Sequence, residues 1–160
     1  MKIFQDNGVI PLDLFEKVIN KIGYTLPSSY LNLIKDHDGL YLSNNAFDFV
    51  NFYEEPDERD VVFLSYFEED LNGDILNNQE NVNDLDNGGI QDLVVFGICA
   101  NGDYVCFDYR DNQKGNNPKV VLVYHDDEIE LSDGSMQMVV NHVANSFDEF
   151  FNSLYEYIEA

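Results

Sequence analysis

Basic residues are scarce in this chain, and the shortage constrains what the protein can bind. Eight lysines and arginines stand against 31 aspartates and glutamates, which gives a formal net charge of −23 at pH 7. A surface of this charge repels the phosphate backbones of nucleic acids and attracts basic proteins. We therefore expect a basic protein partner and no nucleic acid, although solubility or adaptation to a saline environment would explain the charge equally well.

Cysteine and long apolar runs are scarce as well. Two cysteines, Cys99 and Cys106, are too few for the disulfide framework of a small secreted domain, which favours reduced thiols in a cytosolic protein. No run approaches the roughly 18 apolar residues that a membrane helix needs. The N-terminal segment MKIFQDNGVIPLD lacks the sustained apolar stretch of a secretory signal. The sequence therefore predicts a cytoplasmic protein without a membrane partner.

Familiar catalytic and metal-binding motifs are also missing, since the chain has no Gly-x-Ser-x-Gly, His-Glu-x-x-His or phosphate-binding loop. Cys106, His125 and Asp108 could approach one another on neighbouring strands, but a cysteine in a central strand is usually buried and unreactive. Two cysteines without a Cys-x-x-Cys spacing and three scattered histidines provide no zinc site. The loop that starts at Asp70 resembles an EF-hand only in part, because Ile75 stands where glycine is required. We expect no catalysis, no cofactor and no dedicated metal site.

The chain does contain enough apolar residues for one globular domain over residues 1–160. Apolar residues make up 44% of the sequence and aromatic residues 14%, and no linker or internal repeat divides it. Helical spacing of apolar residues predicts helices at 11–23 and 27–39, each ended by a glycine. Ser146 and Glu149 form a capping box, which predicts a C-terminal helix that reaches Ile158 and packs on a sheet.

β-Forming residues dominate the middle of the chain. The runs at 47–53 and 61–67 are predicted strands, and the acidic segment 54–60 between them is a predicted turn. Residues 68–89 are rich in asparagine and aspartate and have few apolar anchors. This stretch is a predicted loop that could hold a short helix at 81–85.

An Asn-Gly pair marks the centre of the predicted sheet. The runs 93–100 and 103–110 flank Asn101-Gly102, which predicts a hairpin with a two-residue type I′ turn and Gly97 opposite Cys106. A third strand of the same meander is predicted at 119–127. The expected fold is α+β, with a mainly antiparallel sheet, two N-terminal helices and one C-terminal helix.

Tyrosines lie beside carboxylates at several places in the sequence. The 10 tyrosines and 12 phenylalanines exceed what a core of this size must hold, and Tyr41, Tyr53 and Tyr109 lie beside acidic residues. Aromatic rings among carboxylates suit a surface that binds a partner rich in arginine and lysine. Ordinary half-buried tyrosines on a sheet would give the same pattern.

Four segments, taken in order, carry a resemblance to a known family. They are LFEKVINKIGYTLPSSYLNLIKDHDG, LVVFGICANGDYVCFDYR, VVLVYHDDE and VANSFDEFFNSL. Two helices joined by an LP-x-x-Y link precede a glycine-turn hairpin ending near Asp-x-Arg, an acidic strand end and an Ala-x-Ser-Phe-x-x-Phe helix. This chain resembles the SUKH superfamily, which includes many bacterial immunity proteins and the yeast cell-wall-synthesis regulator domain. It departs from the family pattern where the second helix ends in Asp-Gly-Leu instead of paired glycines.

The resemblance implies an α+β domain that binds a cognate toxin and blocks it without catalysis. The toxin is expected to be basic, and nucleases fit because they hold phosphates. A regulatory or scaffolding protein-interaction domain of the cell-wall-regulator type is the alternative. The sequence leaves the oligomeric state open.

The predicted partner contacts combine the aromatic and acidic positions with the polar positions of the family hairpin. For Asp108 and Arg110, a local ion pair that holds the end of the hairpin is the alternative explanation. The predicted set is Tyr41, Tyr53, Glu54, Glu55, Asp103, Asp108, Tyr109, Arg110 and Asp126.

Overall fold

A computed structural model describes residues 2–70 and 73–158, and it confirms the α+β fold with antiparallel sheets. The predicted loop at 68–89 includes residues 71 and 72, which lie outside the described residues. Helices and strands follow one another as β1 (Ile3–Gln5), α1 (Leu12–Ile22), α2 (Ser28–Ile34), β2 (Tyr41–Leu42), β3 (Ala46–Val50), β4 (Pro56–Asp60), β5 (Val62–Phe63), α3 (Ile75–Asn83), β6 (Leu93–Ile98), β7 (Tyr104–Asp108), β8 (Lys119–Glu130), β9 (Met136–Ala144) and α4 (Phe147–Ser153).

Five strands form the main sheet in the order β5-β6-β7-β8-β9, while β1 pairs with β2 and β3 pairs with β4. Aromatic rings pack helices α2 and α4 against this sheet. The Tyr30 ring lies 5.2 Å from Phe107 and 5.6 Å from Phe147, and Phe96 stacks on Phe107 at 4.1 Å. This aromatic cluster joins both helices to the two central strands, and such packing stabilises more than its buried area alone.

Signals in the sequence predicted the ends of some helices correctly and the ends of others wrongly. Helix α1 ends as predicted, because Gly23 takes φ +76° and donates its N–H to the Ile19 carbonyl. Helix α2 ends at Ile34, and not at Gly39 as predicted, since the chain turns to bring Asp38 into the core. There Asp38 accepts hydrogen bonds from the Tyr66 N–H (2.8 Å) and the Ser65 hydroxyl (2.5 Å).

The C-terminal helix starts where its capping box predicts and ends early. Ser146 Oγ accepts a hydrogen bond from the Glu149 N–H at 3.1 Å. The helix stops at Ser153, and the chain continues as an extended segment in which Tyr155 exchanges two backbone hydrogen bonds with Ala46. Pairing with β3 therefore replaces the last predicted turn of helix.

The β6–β7 hairpin is present, but its turn is wider than predicted. Gly102 takes φ +97° and donates its N–H to Cys99, while the Cys99 N–H is bonded to the Asp103 carbonyl. This is a three-residue loop with a left-handed glycine, and together with a β-bulge at Phe96 it places Val95 instead of Gly97 opposite Cys106. The Asn101 side chain favours this loop, because it accepts from the Asp103 N–H and donates to the Asp103 carboxylate.

Two predictions for the middle of the chain were wrong. The acidic segment predicted as a turn forms strand β4, which pairs along its whole length with β3. In the predicted loop, helix α3 begins earlier and is longer than the short helix considered at 81–85, and its Asp74 N-cap accepts from the Asn77 N–H. Gln79 of this helix accepts from the Val95 N–H and donates to the Leu93 carbonyl, so a side-chain amide takes the place of a strand at the edge of β6.

Strand β8 is longer than predicted and contains a large bulge. Val123 pairs with Val140, whereas the next pair joins Glu128 to Met138, which leaves residues 124–127 facing a single residue of β9. The bulge exposes the side chains of His125 and Asp126 at the end of the sheet that carries the β6–β7 turn. The β3–β4 hairpin crosses this same end.

Candidate partner-binding face

One end of the main sheet collects most of the predicted partner contacts. We call it the acidic end, and it consists of the β3–β4 hairpin, the β6–β7 turn and the β8 bulge. Five of the predicted residues lie here, Tyr41 of β2 borders it, and the other three lie at the opposite end of β7 or just beyond it. Tyr41 lines a depression with Asp60, Ala100 and Gly102. The five are Tyr53, Glu54, Glu55, Asp103 and Asp126.

Asp103 lies at the centre of the acidic end, but it is only 1% exposed. Its Oδ2 accepts from Arg59 Nε and Asn101 Nδ2, both at 3.0 Å, and its Oδ1 lies 3.1 Å from the His125 backbone nitrogen and 2.6 Å from His125 Nδ1. Burial acts to raise the pKa of Asp103, yet these hydrogen bonds hold that pKa below its usual value. Asp103 is therefore a buried, ionised support of the fold, and its burial removes it from direct contact with a partner.

Arg59 fastens the β3–β4 hairpin to the sheet through this carboxylate. Its guanidinium also binds Asp57 at 2.8 Å and lies 5.4 Å from the Tyr124 ring and 5.8 Å from the Phe49 ring. The Tyr124 hydroxyl donates to Asp57, and burial together with this hydrogen bond raises the pKa of Tyr124 to about 12. The only cation of the hairpin thus faces the interior.

The tip of the hairpin is held in a defined conformation and exposes two aromatic rings. Asn51 Oδ1 accepts from the backbone N–H groups of Tyr53 and Glu55, and Glu54 takes φ +65°, a region that disfavours residues other than glycine. Tyr53 donates its hydroxyl to Asp127 at 2.7 Å. Phe52 and Tyr53 are 50% and 51% exposed, and their rings meet edge to face. The tip therefore presents aromatic surface next to the exposed carboxylates Glu54 and Glu55.

The outer face of the hairpin carries residues that the sequence-based prediction missed. Asp48 lies opposite Glu58 and Val50 opposite Pro56, and all four are exposed. The Tyr155 hydroxyl reaches both carboxylates, at 2.7 Å from Asp48 and 3.2 Å from Glu58. The alternation in AFDFV was the available signal for Asp48 and Val50, but Glu58 was hidden because its segment was predicted to be a turn.

The opposite end of β7 holds a local ion pair and a buried tyrosine. Arg110 binds Asp108 in a bidentate ion pair, with Nε 3.0 Å from Oδ1 and Nη2 2.9 Å from Oδ2. The local ion pair considered from the sequence is therefore present. Tyr109 is 1% exposed, donates its hydroxyl to the Thr25 carbonyl and packs on Tyr24. Its burial removes Tyr109 from the surface that a partner could contact.

Comparison with known proteins gives one match. The sequence profile described as the SMI1 / KNR4 family (SUKH-1) matches residues 10–153. The chain belongs to this family. Searches of curated proteins and of solved structures gave no match.

The SUKH-1 match spans every helix from α1 to α4 and all strands except β1. It includes the acidic end as a whole, apart from Tyr155 and the segment around it. The Tyr155 hydroxyl that links Asp48 to Glu58 is thus supplied by a part of this SUKH-1 chain outside the matched region.

The structure of this SUKH-1 chain does not assemble the cysteine, histidine and aspartate considered for catalysis. Cys106 is fully buried opposite Val95 and Val121, and burial raises the pKa of its thiol far above the usual value. His125 is engaged with Asp103 instead of Cys106.

One group of the described residues has the donor atoms for a cation. The ligand atoms of Asp103, His125 and Asp126 lie within 4.8 Å of one another. Both oxygens of Asp103 already accept hydrogen bonds, including one from Arg59. A cation at this position would have to compete with the guanidinium of Arg59, so the group fits an ion-pair network better than a metal site.

Over the part of the chain that the structure describes, no helix combines the length and apolar character needed to cross a membrane.

Proposed function

We propose that this SUKH-1 protein is a non-catalytic immunity protein that binds a basic cognate toxin in the cytoplasm and neutralises it. The observation that carries the proposal is the acidic end, where exposed aromatic rings stand among carboxylates. Phe52 and Tyr53 provide apolar contact area, and Glu54, Glu55 and Asp126 provide charge at the surface. Aromatic anchors surrounded by complementary charge are typical of protein–protein interfaces.

The net charge supports a basic partner and fits the nuclease class. A nuclease holds a phosphate backbone and therefore presents a positive surface. An inhibitor of charge −23 complements that surface and accelerates association at low ionic strength. The same charge repels nucleic acid. The inhibitor would therefore bind the nuclease and not the nucleic acid that the nuclease cleaves.

The buried cysteines support a role without catalysis. Burial raises the thiol pKa of both Cys99 and Cys106, so neither is poised to act as a thiolate nucleophile. Binding alone is enough for neutralisation, because a bound inhibitor blocks the surface that the toxin needs.

The experiment starts from the gene next to the one that encodes this chain. Its product is expressed in cells with and without the SUKH-1 protein, and growth and co-purification are measured. We expect the neighbouring product to be a basic toxin, and we expect the SUKH-1 protein to restore growth and to co-purify with it. A neighbouring product that is neither toxic nor bound would reject the immunity role and favour the regulatory or scaffolding alternative.

A further inference from the structure

The outer face of the β3–β4 hairpin has no helix or strand packed over it among the residues that the structure describes, and its arrangement of charge is unfavourable. Asp48 and Glu58 lie directly opposite each other across the two strands. Like charges in this relation destabilise a strand pair, because their side chains are held only a few ångströms apart.

The neighbouring hydroxyl relieves this repulsion only in part. Tyr155 is within hydrogen-bond distance of both carboxylates, but a phenol has one proton and donates to one acceptor at a time. The hydrogen bond to Asp48 and, to a smaller extent, burial raise the pKa of Tyr155. Its hydroxyl therefore stays a neutral donor. The two carboxylates therefore have spare acceptor sites.

The cation nearest in sequence is directed away from this face. Arg59 follows Glu58 in β4, and adjacent residues of a strand point to opposite sides. Its guanidinium accordingly binds Asp57 and Asp103 on the inner side. The other basic residues of the chain lie at positions 2–35 and 110–119, outside the hairpin.

The outer face also has room and apolar surface for a side chain from another protein. An open depression of about 680 Å³ borders the hairpin, and four of its six lining residues, Asp48, Val50, Pro56 and Glu58, belong to the outer face; the other two are Phe49 and Asp57. Val50 is 63% exposed and lies next to both carboxylates. An arginine combines an apolar stem, which fits such a surface, with a planar fork that binds two acceptors at once.

We propose that the outer face of the β3–β4 hairpin is the docking site for an arginine side chain of the basic partner. The guanidinium would bind between Asp48 and Glu58, and its stem would lie on Val50 and Pro56. Two observations favour this over general attraction to an acidic surface. The two carboxylates are fixed opposite each other by the strand register, and the hairpin that carries them is held near its base by Arg59 and at its tip by Tyr53.

The identity of the partner as a toxin rests on the proposed function, but the chemistry of the site can be tested without it. A blocked Gly-Arg-Gly peptide is titrated into the ¹⁵N-labelled protein at moderate salt, with Gly-Lys-Gly and Gly-citrulline-Gly as matched probes. We expect shift changes concentrated at residues 46–60 and Tyr155, a weaker response to lysine and none to citrulline. Shift changes spread evenly over the acidic surface would overturn the proposal.

Isosteric variants sharpen the test. Asp48→Asn and Glu58→Gln remove one charge each with little change of shape, and each is expected to weaken peptide binding about two- to fivefold, as for an exposed ion pair. Glu80→Gln and Asp111→Asn remove the same charge from exposed positions elsewhere and serve as controls. Equal losses in all four variants would mean that only net charge matters, and the proposal would be wrong.

The outcome with the neighbouring gene product separates the two proposals. If that product binds the wild-type protein and equally well the Asp48→Asn, Glu58→Gln double variant, the immunity role stands and the docking site fails. If the product does not bind at all while the arginine peptide binds as expected, the docking site stands and the immunity role fails.

Discussion

Each end of strand β7 has an aspartate that binds an arginine, but the two ion pairs differ in burial and in the separation of their residues along the chain. At one end Asp108 binds Arg110, two residues away and partly exposed. At the other end Asp103 binds Arg59, 44 residues away, and is buried. The first pair belongs to one segment of the chain, whereas the second joins the β3–β4 hairpin to the main sheet.

The difference shows why two similar ion pairs contribute different amounts to the free energy of unfolding. A partly exposed local ion pair contributes little, because water solvates the separated charges almost as well. Removing a buried carboxylate costs more, since the hydrogen-bond donors that it satisfied are left without an acceptor in the interior. Asp103 therefore supports the proposed binding face from beneath, and Asp108 orders only the segment that follows β7.

The largest expected effect comes from removing the buried carboxylate. Asp103→Ala leaves the Arg59 Nε–H and the His125 backbone N–H without their acceptor, although Arg59 keeps Asp57, and should lower the free energy of unfolding by about 3 kcal/mol. Urea denaturation monitored by circular dichroism measures it. A loss no greater than that of Asp108→Ala would contradict the distinction between the two ends.

The second prediction concerns binding at the acidic end. The double variant Glu54→Lys, Glu55→Lys reverses charge at the hairpin tip and should slow association with the proposed basic partner about tenfold at low salt, because the approach of a basic protein is steered by charge. Stopped-flow mixing measures the rate, and high salt should remove most of the difference.

The control carries the same change of charge at other exposed positions. Glu80→Lys with Asp111→Lys should slow association less, since these residues lie away from the acidic end. Equal slowing in both double variants would assign the effect to net charge and not to this face.

The third prediction uses pH to compare the two carboxylates. Their hydrogen bonds lower the pKa of Asp103 and of Asp108 in the folded state relative to the unfolded chain, where it is about 3.9. Each stabilising contribution is thus complete above the unfolded pKa and is lost as the pH falls through the lower folded pKa. The free energy of unfolding, measured from pH 6 down to pH 3, should decline less steeply in Asp103→Asn than in the wild type. An unchanged slope would show that Asp103 titrates as in the unfolded chain.

The smallest effect is expected at the local ion pair of Asp108 and Arg110. Asp108→Asn keeps the shape of the side chain and should change the free energy of unfolding by less than about 1 kcal/mol. Thermal unfolding of this variant beside Asp103→Asn gives the comparison directly. A loss as large as that of Asp103→Asn would mean that Asp108 has a wider structural role than its local ion pair.

Sequence reasoning succeeded where the determining contacts are close together in the chain. Gly23 ends α1 and Ser146 begins α4, because each acts on backbone groups within a few residues. It failed for β4, whose residues PDERD have no apolar alternation and form a strand only because β3 lies beside them. It also failed for Tyr109, since no local pattern shows that Thr25 and Tyr24 cover its ring.

The sequence by itself determined the α+β class, the SUKH family and the negative charge, and it offered the ion pair of Asp108 and Arg110 as one of two explanations. Composition, short-range capping and an ion pair between near neighbours require no knowledge of the fold. The tertiary structure alone decided that Asp103 is buried while Asp48 and Glu58 face solvent together. Strand register and long-range packing choose which of many equivalent carboxylates are covered and which remain available to a partner.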